Sequence, residues 1–112
     1  MSTDNGIYIS LLLEFYGSLL TERQREIVSY TVDDDLSLSE ISELLGITRQ
    51  GVRDAIQKAR AQLEEYEEKL GMYKSFCQRQ KDGDRLVELI ERMDADPNLR
   101  EEAKSLIKSI CT

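Results

Sequence analysis

Apolar residues recur along this chain at intervals of three and four, which places them on one side of an α-helix. Tyr8, Leu11, Leu12, Phe15 and Leu19 open the pattern, while Ile9, Leu13, Tyr16 and Leu20 widen it beyond the single stripe that a surface helix needs. A second helix is predicted from Thr21, because Thr21-Glu22-Arg23-Gln24 has the form of a capping box. Its apolar face is Ile27, Val28 and Tyr30. The run Asp33-Asp34-Asp35 interrupts it, and Ser37-Leu38-Ser39-Glu40 supplies another capping box for a short helix with Leu38, Ile41, Leu44 and Leu45 inward.

Gly46 stands where a helix commonly closes in a left-handed residue, and Thr48 suits the cap of the next helix. Helix, tight turn and helix follow. From there Val52, Ile56, Ala59, Leu63, Tyr66, Leu70, Tyr73 and Cys77 alternate spacings of four and three, a heptad seam. A continuous helix over 49–80 would be roughly 48 Å long at ~1.5 Å per residue, longer than a helix-turn-helix can cover. Its distal half must pack on the first helix, on a second chain, or on both, and a homodimer is the expectation; an intramolecular bundle is the alternative.

Lys81-Asp82-Gly83-Asp84 reads as a break before a short helix holding Leu86, Val87, Leu89, Ile90 and Met93. Asp96 then suits an N-cap and Pro97 the first helical position, with Leu99, Ala103, Leu106, Ile107 and Ile110 as the apolar face. The fold class is all-α. Residues 1–80 form a helix-turn-helix domain with an N-terminal helix and a long extended recognition helix, and 81–112 a C-terminal helical hairpin packed on the same unit.

Composition narrows the function. The 112 residues fit one compact domain, and 22 acidic against 15 basic residues give a charge of −7 with no histidine. The usual general base near pH 7 and the commonest metal ligand are both missing, so no enzyme, cofactor or metal site is expected. Cys77 and Cys111 lie far apart without CxxC spacing, and Ser2, Thr3, Asp4 and Asn5 do not make a basic signal-peptide start. The longest apolar run, Leu11-Leu12-Leu13, is far short of the roughly 20 residues that span a bilayer, and the chain reads as cytoplasmic.

Nucleic acid binding in an acidic chain requires a local basic patch. Between residues 49 and 62, four basic residues (Arg49, Arg53, Lys58 and Arg60) face one acidic residue, Asp54, a local surplus of three. With Val52 and Ile56 in the core, Arg49, Gln50, Arg53, Asp54 and Gln57 point outward at the head of the second helix. Arg can grip guanine and Gln adenine through paired hydrogen bonds, and Thr48 with the helix N-terminus can meet a phosphate. The candidate nucleic-acid residues are Thr48, Arg49, Gln50, Arg53, Gln57, Lys58 and Arg60. The competing reading is a solvated face with Asp54 paired to Lys58.

Other groups draw simpler readings. Glu64, Glu65, Glu67 and Glu68 reverse the sign of the helix and serve as a solvated face, with no nucleophile to make them catalytic. Tyr66, Tyr73 and Phe76 sit at or near seam positions and are assigned to packing rather than base stacking. Cys77 is likewise packing, and Asp33-Asp34-Asp35 a turn rather than a cation site.

Residues 20–63 resemble the fourth region of bacterial sigma factors, through Leu20-Thr21-Glu22-Arg23-Gln24-Arg25-Glu26-Ile27-Val28 and the stretch from Leu38-Ser39-Glu40 to Thr48-Arg49-Gln50-Gly51-Val52-Arg53. A more specific likeness covers about 12–80. Phe15-Tyr16-Gly17-Ser18-Leu19-Leu20-Thr21, Asp33-Asp34-Asp35-Leu36-Ser37-Leu38, Thr48-Arg49-Gln50-Gly51-Val52 and Glu64-Glu65-Tyr66-Glu67-Glu68-Lys69-Leu70-Gly71 resemble the YlxM family of Gram-positive bacteria. That resemblance implies a small helix-turn-helix regulator associated with the signal recognition particle, with the particle's GTPase and small RNA as partners. It also implies Arg49, Gln50 and Arg53 as RNA or DNA contacts, and leaves the C-terminal hairpin outside the match. A sequence-specific transcription regulator is the alternative.

Overall fold

The computed structural model describes the backbone of residues 3–111 and the side chains of residues 6–111. The leader reading of residues 2–5 concerns side chains outside the described ones. Among the described residues there are six α-helices: α1 (Thr3–Tyr16), α2 (Glu22–Val32), α3 (Leu38–Leu45), α4 (Arg49–Leu70), α5 (Met72–Arg92) and α6 (Pro97–Cys111). No strand occurs among the described residues, and the all-α class stands. Two compact units divide the chain between Tyr73 and Lys74.

Both predicted capping boxes form. The Thr21 hydroxyl accepts from the Gln24 amide while Gln24 accepts from the Thr21 amide, each at 3.1 Å. Ser37 and Glu40 repeat the exchange at the head of α3, also at 3.1 Å. Two helical and two N-cap N–H groups are thereby satisfied by partners three residues away, which is why both helix starts are readable locally.

The first unit holds two apolar clusters bridged by α2 and α4. Val28 joins Ile9, Leu12, Tyr16, Leu20, Ala59 and Leu63, whereas Ile27 joins Ile41, Val52 and Ile56. The seam of α4 is thus divided: its first half closes the helix-turn-helix, and its second half packs on α1. The broad apolar surface of the first helix has this cause, since α1 meets both α2 and α4. The intramolecular alternative accounts for the seam over 52–63, and no second chain is needed to cover it.

Several details depart from expectation. The helix predicted over 49–80 is two helices, because Gly71 adopts φ +61° and closes α4, its amide donating to the Glu67 carbonyl at 2.8 Å. Leu70, on the expected seam, is exposed. Leu44 is exposed as well, since the two turns of α3 bury only Ile41 fully. The expected break at 81–84 is helical throughout: α5 runs through Gly83, which is buried. A Cβ built on Gly83 would lie 2.5 Å from the Cys111 sulfur, so α6 approaches α5 where no side chain intervenes.

Glu67 is not part of a solvated face. The Tyr16 hydroxyl donates to its carboxylate at 2.6 Å, and the carboxylate also accepts the Tyr73 amide at 3.0 Å. The same Tyr16 oxygen accepts the Met72 amide at 2.9 Å. Tyr16 and Glu67 together therefore cap the start of α5, taking donors that the new helix cannot satisfy itself. Burial, then the bond to Glu67, raises the Tyr16 phenol above its ordinary pKa.

Tyr66 and Tyr73 take the packing role assigned to them. Tyr66 lies 5.9 Å from Tyr16, and Tyr73 lies 5.3 Å from Tyr8. In the second unit, Asp96 caps α6 by accepting the Asn98 amide at 2.8 Å, with Pro97 in the first helical position.

Candidate nucleic-acid interface

A short helix, a tight turn and the head of a longer helix build the candidate surface. Gly46 at φ +67° reverses the chain after α3, where a side chain would be strained. Ser42 fastens the turn: its carbonyl accepts the Gly46 amide at 2.9 Å and the Ile47 amide at 3.2 Å, while its hydroxyl donates to the Ile47 carbonyl. Thr48 then caps α4, accepting the Gly51 amide at 3.0 Å. Gly51 suits that cap, because a Cβ there would stand 3.1 Å from the Thr48 oxygen.

Behind the surface, Val52 and Ile56 are buried with Ile27 and Ile41, which fixes the rotation of α4 about its axis. The outward side follows from that rotation. Thr48, Arg49, Gln50, Arg53, Gln57 and Lys58 are all exposed, and Arg60 is half-buried at the edge of the same stretch.

Hydrogen bonds connect several of these side chains. Arg53 donates to the Gln50 side-chain oxygen at 3.0 Å, and Gln50 donates to Asp54 at 2.9 Å. Arg49 donates to the Ser39 hydroxyl at 3.2 Å, tying the recognition head to α3. The Asp54–Lys58 pair of the competing reading does not form; Asp54 accepts from Gln50 on the preceding turn instead. Arg49, Arg53, Lys58 and Arg60 make no ion pair with any described residue, leaving four cations available to an anion.

Ser39 and Ser42 were absent from the sequence-based set, although both shape the surface. Their signal is weak: Ser is common in short helices, and only the turn brings Ser42 to Ile47 and Ser39 to Arg49. Beyond Arg60 the exposed Glu64, Glu65 and Glu68 end the basic stretch.

Elsewhere the acidic loop carries ordinary turn chemistry. Asp33 accepts from Ser10 at 2.9 Å and Ser29 at 3.2 Å, and Asp35 adopts φ +55°, a conformation that Asp tolerates in turns. No group of three potential metal ligands occurs among the described residues. No helix among them is long and apolar enough to cross a membrane.

The sequence model of the UPF0122 family, described as YlxM / p13-like helix-turn-helix proteins, matches residues 3–107. The chain belongs to the UPF0122 family. A UPF0122 protein of Thermoanaerobacter sp. is 39% identical over 110 residues, covering 96% of this chain and 94% of the relative. One from Caldanaerobacter subterraneus is 47% identical over 87 residues, 78% of this chain and 74% of the relative. A Bacillus cereus member is 41% identical over 102 residues, 91% and 90% of the two chains. The family match takes in most of α6, so the likeness is wider than the 12–80 read from motifs and extends over the C-terminal segment. The UPF0122 description is of helix-turn-helix proteins rather than of an enzyme family, and it points to nucleic-acid binding.

Proposed function

We propose that this protein is a non-enzymatic, cytoplasmic helix-turn-helix regulator that acts in the signal recognition particle pathway as a dimer. Its basic α4 head engages nucleic acid, and its partners are the particle RNA and GTPase. The observation that carries the nucleic-acid part is the exposure of Arg49, Gln50, Arg53 and Lys58 on one capped helix head, in a chain whose net charge is −7. Thr48, Gln57 and Arg60 complete the surface, with Thr48 placed to meet a phosphate at the helix start and Arg60 at its far edge. The resemblance of the front helix, acidic loop and acidic α4 turn to the YlxM pattern supports the particle as the setting.

The test is recovery of tagged protein from a lysate of its source cells, with and without nuclease, followed by identification of bound RNA and protein. Co-purification of the particle RNA and GTPase supports the reading, and nuclease sensitivity distinguishes an RNA bridge from direct protein contact. Arg49→Ala with Arg53→Ala is expected to weaken nucleic-acid binding by about 1–3 kcal/mol per lost contact. Undiminished binding by that double variant overturns the assigned surface. The sigma-like segment favours a second reading, a sequence-specific transcription regulator, which discrete bound DNA fragments would select instead.

A further inference from the structure

The hairpin of α5 and α6 buries little of its own apolar surface. Among its described residues from Lys74 onward only Gly83 is buried, while Leu86, Leu89, Met93, Leu99, Leu106 and Ile110 are between 40% and 70% exposed. The spacings are helical and regular: Leu86 and Met93 lie seven residues apart on α5, as do Leu99 and Leu106 on α6. Between the helices, Gly83, Leu86, Ile107, Ile110 and Cys111 line a shallow apolar depression of about 140 Å³. A pair of helices with this much apolar surface facing water lacks the core that helix pairs need, because packing supplies most helical stability.

Charge identifies what covers it. Residues 74–112 carry eight basic and eight acidic side chains, whereas residues 1–73 carry seven basic and fourteen acidic. The whole excess of negative charge therefore lies outside the hairpin. Some of the hairpin charges are also paired within it: Arg85 and Arg92 both meet Glu88, at 3.3 and 2.9 Å, and Lys104 meets Glu101 at 3.2 Å and Glu91 at 3.4 Å. A hairpin of zero net charge can meet an identical one without the repulsion that two copies of the acidic remainder would suffer. At these exposures the six large side chains offer roughly 600 Å² per copy, close to the ~800 Å² per partner of a standard interface.

We infer that the α5–α6 face binds the same face of a second copy of this chain, forming a four-helix bundle with two-fold symmetry. The inference gives the dimer of the proposed function its surface, and differs from a dimer built on the α4 seam. Its dependence on that reading is limited to stoichiometry. Because the measurement contains no nucleic acid, its failure is distinct from failure of the nucleic-acid reading.

Sedimentation equilibrium of the full chain between 1 and 100 µM is expected to give twice the 12.9 kDa chain mass. Leu106→Lys and Ile110→Lys should each raise the dimer dissociation constant at least 100-fold while far-ultraviolet circular dichroism stays helical. Leu70→Lys, at an exposed position outside the hairpin, should leave the dimer intact. If a lysine variant loses helicity, Ile110→Ser provides the same reading with a smaller perturbation. A single-chain mass at 100 µM overturns the inference, and so does a dimer insensitive to substitutions at 106 and 110 or a monomer that captures a different protein through this face.

Discussion

Tyr16 shows how one side chain serves packing and hydrogen bonding together. Its ring is fully buried with Ile9, Leu12 and Leu63, while its hydroxyl links Glu67 to the Met72 amide at the head of α5. Removing only that hydroxyl leaves the packing, takes one of two donors from the Glu67 carboxylate and deprives the Met72 amide of its acceptor. Tyr16→Phe is expected to destabilise the fold by about 1–3 kcal/mol, measured by urea unfolding at pH 7. A pH dependence follows from the raised phenol, because the folded state holds its proton to higher pH than the unfolded chain. The stability supplied by Tyr16 is full below about pH 10 and is lost as pH rises through the folded-state value. Unfolding measured from pH 8 to 11 should show a shallower alkaline loss in Tyr16→Phe than in the parent, and identical slopes would exclude Tyr16 as the source.

Among elements, the α4–α5 junction depends on a single left-handed residue. Gly71 sits at φ +61° with open space where a Cβ would lie, so the cost of a side chain there is conformational rather than steric contact with neighbours. Gly71→Ala is expected to lower stability by about 1–2 kcal/mol in thermal or urea unfolding, and no loss would show that the junction relaxes freely. This break was illegible in the apolar pattern, because Tyr73 and Cys77 resume the seam in phase after one residue leaves the helical region. Gly83 misled in the opposite direction. Glycine and aspartate are poor helix formers, yet α5 continues there because close approach to α6 requires the missing Cβ. The capping boxes at Thr21 and Ser37, the turn at Gly46 and the Asp96-Pro97 start were legible because their chemistry is local. The outward position of Arg49, Gln50 and Arg53 was legible too, since burial of Val52 and Ile56 fixes the helix rotation. Which partner Asp54 takes was not, because Gln50 and Lys58 flank it at equal distances along the helix and only side-chain rotamers distinguish them.

For the whole molecule, charge is separated into three regions with different consequences. The hairpin is neutral, the α4 head has a surplus of three positive charges over residues 49–62, and the rest of the chain is acidic. Among the described residues the α4 head is where the proposed nucleic-acid contact meets least repulsion, and its four cations would bound the number of phosphates that one copy neutralises. Counterion release from about four phosphate contacts gives a slope near −3.6 for log affinity against log salt with duplex, or about −2.8 with a single strand. Two heads engaging one duplex would about double the first value, whereas the acidic remainder lowers affinity at low salt, where screening is weakest. Fluorescence anisotropy with a labelled duplex, titrated between 50 and 200 mM salt, should give a slope near −3 to −4 if one head engages and near −7 if both do. The Ile110→Lys variant separates these cases, since loss of the hairpin contact should return a doubled slope to the single-head value. A slope near zero would mean that binding does not use these cations, and one steeper than about −8 would require contacts beyond the two α4 heads.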